Sequence, residues 1–166
     1  MALSTNNVLD NPATPGIAAQ IYIPDQLIAG PAQVVSQPIT ILSGQNVLKR
    51  GTVLGRVSIG TATAAAKSGG NTGNGTCTSV SAKGLAQVGV YTVRVAIAGT
   101  NSATWDLYDP NGNLIDQRQY SGSGTTAVFA NSQLGFTLTD GATDFVVGDG
   151  FDITVAAGSG KYIVSV

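Results

Sequence analysis

Few residues of this chain could do covalent or ligand chemistry, and histidine is not among them. Its absence removes the commonest general base and the commonest metal ligand together. Cys77 is the single cysteine. As a nucleophile it would need a neighbouring base, and none is identifiable beside it, so it reads as a half-buried strand thiol. One cysteine also rules out an internal disulfide, so stability must come from packing or assembly. Asp109, Asn111 and Asn113 alternate like the first ligands of a calcium loop. Gly112 comes too early for that loop, and Tyr120 stands where a bidentate Glu is needed, so a hairpin turn is the better reading. Asp140, Asp144, Asp149 and Asp152 form a looser acidic set. They could hold a cation between loops, but turn roles for Asp140 and Asp149, with the other two solvated, are favoured. Trp105, Tyr108, Tyr91 and Tyr120 could build a sugar-binding platform, although aromatics in strands more often fill a core. Asn74-Gly75-Thr76 has the pattern of a glycosylation acceptor. No Gly-x-x-x-x-Gly-Lys-Ser/Thr loop is present. The expectation is a non-enzyme with no cofactor, no metal and no catalytic residues.

The elements that must position these residues read as strands. Asp109-Pro110-Asn111-Gly112 lies between Thr104–Tyr108 and Asn113–Asp116 and predicts a hairpin, because Pro presets the first turn residue and Gly accepts positive φ. Residues 90–97 alternate as a half-buried strand. Residues 76–80, 134–139 and 151–155 read as further strands, the last with Phe151, Ile153 and Val155 on one face. Earlier in the chain, residues 39–42 read as a strand, and 47–57 as two short strands around Gly51. Residues 161–166 form a terminal strand whose partner the pattern leaves open. The run from Lys67 to Gly75, rich in Gly, Asn and Ser, reads as a linker into a second unit. Residues 1–20, with Asn6-Asn7, Asp10-Asn11-Pro12 and Thr14-Pro15-Gly16, read as a loose arm.

Bulk composition narrows the function classes. The chain has 166 residues, is 43% hydrophobic and only 10% charged, so it can bury a core and does not read as a disordered chain. Net charge is −1 with Lys and Arg scattered, which argues against nucleic-acid binding, where several phosphates must be neutralised. No stretch is long and apolar enough to span a bilayer as a helix. The start lacks a basic segment followed by an apolar one, so no secretory signal is expected.

Two blocks resemble a known family. Ile21-Tyr22-Ile23-Pro24-Asp25-Gln26-Leu27-Ile28-Ala29-Gly30, followed by Ile41-Leu42-Ser43-Gly44-Gln45-Asn46-Val47-Leu48-Lys49-Arg50-Gly51-Thr52-Val53-Leu54-Gly55, is similar to the opening of the bacteriophage lambda-type head decoration family. Gly158-Ser159-Gly160-Lys161-Tyr162 resembles a second block of that family. The resemblance implies an all-β chain with a β-tulip (β-clip-like) decoration core. Residues 1–20 would be a flexible arm, residues 21–66 with 156–166 the capsid-binding core, and residues 67–155 an inserted Ig-like β-sandwich. It further implies a homotrimer that cements the outer surface of the expanded head against DNA pressure. The partner would be the major capsid protein, met in a virion assembled in the bacterial cytoplasm. The residues expected to touch the capsid are Pro15, Ile17, Ile21, Tyr22, Ile23 and Pro24. The insertion would add trimer contacts or meet host-surface glycans, and the competing reading is a carbohydrate-binding or adhesin module of a tail or fibre. A lipoyl-like carrier domain, suggested by residues 49–55, lacks a matching exposed lysine hairpin.

Overall fold

Alternation of apolar and polar residues builds most of the fold. The computed structural model describes residues 35–122 and 125–165. The chain divides into units Met1–Gln37 and Pro38–Val166, and every strand below belongs to the second. The strands are β1 (Leu54–Arg56), β2 (Ile59–Ala66), β3 (Thr76–Ala82), β4 (Gly89–Gly99), β5 (Ser102–Tyr108), β6 (Leu114–Ser121), β7 (Thr126–Ala130), β8 (Leu134–Thr139), β9 (Gly150–Ala157) and β10 (Tyr162–Val164). The chain is all-β, as expected, and the sheet pairings between these strands are antiparallel.

A five-stranded sheet, ordered β2-β9-β4-β5-β6, packs against a three-stranded sheet, ordered β3-β8-β7. Their shared core takes Tyr91, Val93 and Val95 from β4, Trp105 and Leu107 from β5, and Phe151, Ile153 and Val155 from β9. The three-stranded sheet contributes Phe129, Leu134, Phe136 and Leu138. The Phe129 and Phe136 rings stack at 4.5 Å. This inward set is what a period of two produces when one face of each sheet meets the other.

Three segments depart from the sequence reading. β4 does not alternate to its end, because a register shift between Val95 and Ile97 inserts an extra residue. The bulge turns Ile97 outward, leaving it 65% exposed. Residues 47–49 do not form the expected strand, and residues 39–42 contribute a single bridge, from Ile41 to Tyr162. The hairpin at Asp109 is present as expected. The Asp109 N–H donates to Asn113 O and the Gly112 N–H to Asp109 O, both at 2.9 Å, with Gly112 at φ 84°.

The run from Lys67 to Gly75 is a packed loop rather than a free linker. Strand β2, ahead of it, already belongs to the five-stranded sheet through Ala62↔Val155 and Ala64↔Ile153. Two glycines of the run, Gly73 and Gly75, are there for space, while Gly69 and Gly70 take φ 87° and 78°. A Cβ at Gly73 would stand 2.6 Å from the Phe145 ring, and one at Gly75 would also strike that ring. Phe145 in turn meets Trp105 edge-on at 4.8 Å and Phe151 at 6.0 Å. The loop is the lid of an aromatic cluster.

Candidate functional site

The Gly158–Tyr162 block closes onto the Ile41–Gly55 block, about a hundred residues away in sequence. β10 pairs with β1 through Leu54↔Val164, Gly55↔Ile163 and Arg56↔Tyr162. On its other side β10 bridges Ile41 in parallel, with Tyr162 N–H donating to Thr40 O and Leu42 N–H to Tyr162 O, each at 2.9 Å. The Gln45 side chain adds a bond, its Oε1 accepting the Val164 N–H at 3.0 Å. The open partner of the terminal strand is therefore the first block.

The residue types of these blocks follow from that closure. Gly158 lies so close to the Val57 carbonyl and the Ile59 N–H that a Cβ would collide with both. Gly160 takes φ 70° and donates its N–H to Val57 O at 3.0 Å. Gly44 and Gly51 take φ 86° and 89° in the two turns of the first block. Thr52 closes the second of these turns, its N–H and hydroxyl both reaching Lys49 O, at 3.1 and 2.7 Å. Around this small sheet, Val47 is 94% and Val53 71% exposed. Isolated apolar side chains on a surface are ordinary. A shallow cleft of about 460 Å³ lies between residues 44–49, Thr52 and Val164.

Pro15, Ile17, Ile21, Tyr22, Ile23 and Pro24, expected to touch a capsid, lie outside the described residues. So does the first part of the family-like block, residues 21–30.

The carboxylates singled out as chemical candidates have structural partners. Asp149 is 1% exposed. Its Oδ2 accepts the N–H groups of Gly73 at 2.9 Å and Val146 at 3.1 Å, and its Oδ1 accepts that of Thr72 at 3.0 Å. Lys67 Nζ stands 3.6 Å away. Burial alone raises this carboxyl, but the three N–H groups and Lys67 hold it below the usual carboxylate range. Asp149 thus pins a loop some 76 residues upstream instead of serving only its own turn, which is a correction to the sequence reading. Asp109 accepts from the N–H of Asn111 at 2.9 Å and of Asn113 at 2.8 Å. Bonds from Asn113 are the main reason its carboxyl is lowered. Asp152 pairs with Arg94 rather than standing alone in solvent. Among the described residues, no group of three or more Cys, Asp or Glu side chains converges as a metal site.

Cys77 has a packing environment. Burial pushes its thiol up to about 12, far from thiolate at neutral pH. The aromatic set does not make a platform. Trp105 and Tyr91 are fully buried and Tyr120 is 4% exposed. The Tyr91 hydroxyl accepts the Gln87 N–H at 2.8 Å and donates to Gln133 Oε1 at 2.7 Å, the usual solution for a buried tyrosine. Tyr108 alone stays half-exposed, its hydroxyl donating to Asp106 Oδ2 at 3.3 Å.

No protein-family model matches the chain, and no curated protein matches it. Among solved structures, FlgL of Xanthomonas campestris aligns at 22% identity over 62% of this chain and 31% of that one, with a TM-score of 0.42. The chain spans about a third of that protein's length, and a likeness of this degree carries no functional argument.

Proposed function

We propose that this chain is a structural, non-enzymatic decoration protein of a tailed-phage head. It binds the outer surface of the expanded capsid, through the major capsid protein, and stabilises the shell against packaged DNA. One observation carries the reading. The two blocks that resemble the decoration family, far apart in sequence, meet in one small sheet through β1, β10 and Ile41. At the foot of that sheet the Gly158 N–H donates to Ser58 O at 3.0 Å, so the chain leaves for the sandwich and returns from it at one place. That arrangement suits an insertion carried on a capsid-binding core.

The energetic logic is avidity. A segment that adds backbone hydrogen bonds to a partner's sheet edge loses ordering entropy and binds weakly alone. A homotrimer presents three such segments and gains affinity without new contact types. Lys and Arg are too few and scattered for electrostatic steering to dominate. The test is co-sedimentation with expanded, decoration-free heads. The full chain pellets with the heads. A chain lacking residues 1–20 stays in the supernatant while keeping its β-sheet circular dichroism. Equal pelleting of both chains would refute the role of the leading segment, and failure of the full chain to pellet would refute the reading itself.

A further inference from the structure

Scattered along the sequence, the lysines and arginines are sorted by the fold. The small sheet and its turns, residues 38–59 and 158–165, hold Lys49, Arg50, Arg56 and Lys161 and no Asp or Glu, a net side-chain charge of +4. The sandwich, residues 60–157, holds four cations against seven carboxylates, a net of −3. Three of those four cations are paired within the sandwich: Lys67 with Asp149, Arg94 with Asp152 and Arg118 with Asp116. The cations of the small sheet are all exposed, and none is in an ion pair among the described residues.

Backbone pairing keeps these cations near one another. Arg56 ends β1, and its guanidinium lies beside Gly160, where a Cβ would stand 3.5 Å from Nη2. Lys161 is the next residue, and its carbonyl accepts the Val57 N–H at 2.9 Å. Lys49 and Arg50 occupy the turn that leads into β1, and Lys49 lines one cleft together with Val164 of β10. Arg56 lines a second shallow cleft, of about 520 Å³, with Ser58, Gly84, Ile163 and Ser165. Lys83, the sandwich cation outside those three pairs, directly precedes Gly84. The unpaired cations among the described residues therefore gather at the small-sheet end.

Like charges on a small body repel one another, and a surface of opposite sign relieves that repulsion. A nucleic-acid backbone carries one charge per about 1.7 Å and is held by a dense array of cations. A few cations spread around an uncharged sheet match the sparser carboxylates of a protein surface instead. They are too few to dominate affinity, but charges at an interface decide which end docks and reject the wrong orientation.

We propose that the small sheet docks on a carboxylate-bearing patch of the capsid's outer surface, with Arg56 and its cleft receiving one partner carboxylate. The net-negative sandwich is thereby turned away from the shell. The proposal rests on the decoration reading and gives that reading its partner chemistry.

Expanded, decoration-free heads are titrated with the full chain and sedimented at about 50 mM and about 500 mM sodium chloride. The chain binds at least about tenfold more tightly at low salt, where exposed charges are less screened. Lys49→Gln with Arg50→Gln, and separately Arg56→Gln with Lys161→Gln, each weaken low-salt binding about five- to tenfold. At high salt each pair changes binding less than about twofold. Arg118→Gln, which removes a sandwich cation, changes binding less than about twofold at either salt. The substituted side chains are exposed, so the variants keep their β-sheet circular dichroism; should one pair disturb it, the other pair decides. Heads whose surface carboxylates have been amidated bind the natural chain as weakly as the variants, and the variants lose nothing further. Pelleting that ignores salt, variants that bind as tightly as the natural chain, or an equal loss in Arg118→Gln overturns the proposal and leaves the decoration reading standing. A natural chain that pellets at neither salt overturns that reading, and this proposal with it. Binding of a short DNA duplex that the same variants lose would assign these cations to phosphate and overturn the acidic protein partner.

Discussion

Replacing Asp149 by alanine takes the acceptor away from three main-chain N–H groups at once, those of Thr72, Gly73 and Val146. Gly73 is buried, so its N–H loses its partner with no water to replace it, a penalty of about 1–3 kcal/mol. Thr72 and Val146 are exposed residues whose N–H groups regain water, at about 0.5–1 kcal/mol each. The Lys67 pair, 28% exposed at the lysine, adds less than about 1 kcal/mol. The sum is about 4 kcal/mol, which lowers the midpoint of a chain this size by about 8–16 °C. Urea unfolding followed by the fluorescence of Trp105, the single tryptophan, measures it. Trypsin provides a local readout, because release of the loop exposes the bond after Lys67. Acid gives a second dimension. The folded carboxyl is held below its ordinary range, so its stabilisation is complete above the unfolded value of about 4 and is lost as pH falls through the folded one. The gap between the natural chain and Asp149→Ala is therefore full at pH 7 and shrinks as the pH falls below the ordinary carboxylate value of about 4. A gap under about 1 kcal/mol at pH 7, or one that stays constant into acid, would refute the pinning argument. Asp116→Asn, which removes the charge paired with the exposed Arg118 and keeps an oxygen to accept the Gln117 N–H, is the control and changes stability by less than about 1 kcal/mol.

Other side chains yield further expectations. Cys77, with its thiol pushed up to about 12, is alkylated by iodoacetamide at pH 8 about a thousandfold more slowly in the native chain than in urea; equal rates would contradict its buried placement. Trp105→Ala empties the centre of the aromatic cluster and costs about 3–5 kcal/mol, whereas Tyr108→Ala, at the half-exposed outer face, costs about 1 kcal/mol or less by the same urea assay. Tyr108→Ala is thus the variant that tests the adhesin alternative on a glycan array. Glycan binding that this change abolishes would favour that alternative, and the decoration reading expects no glycan signal dependent on Tyr108.

What the sequence could disclose was local. β8 is bounded as its residues suggest, because Leu134, Phe136 and Leu138 alternate with small or polar neighbours between turn residues. The Asp109 hairpin was equally plain, since Pro110 and Gly112 set its backbone. β2, with the sequence Ile-Gly-Thr-Ala-Thr-Ala-Ala-Ala, escaped notice because Ala and Thr offer little contrast between faces. β7 is only five residues long and lies within a Ser- and Gly-rich stretch. The glycine run after Lys67 misled for a physical reason. Composition suggested freedom, but Gly73 and Gly75 make room for Phe145, some 70 residues later. The same distance hid the role of Asp149. Of the candidate contact region, the two family-like blocks were readable one by one. That Tyr162 would lie between Ile41 and Arg56 was not, because strand pairing across a whole inserted sandwich leaves no periodic trace.

A reconstruction of the virion that carries this protein confronts the central proposal most directly. The decoration reading predicts density for three copies clustered at three-fold or quasi-three-fold positions on the outside of the expanded head, with the sandwich facing solvent. Density for single copies within the tail, or heads whose surface lacks the chain altogether, would contradict it.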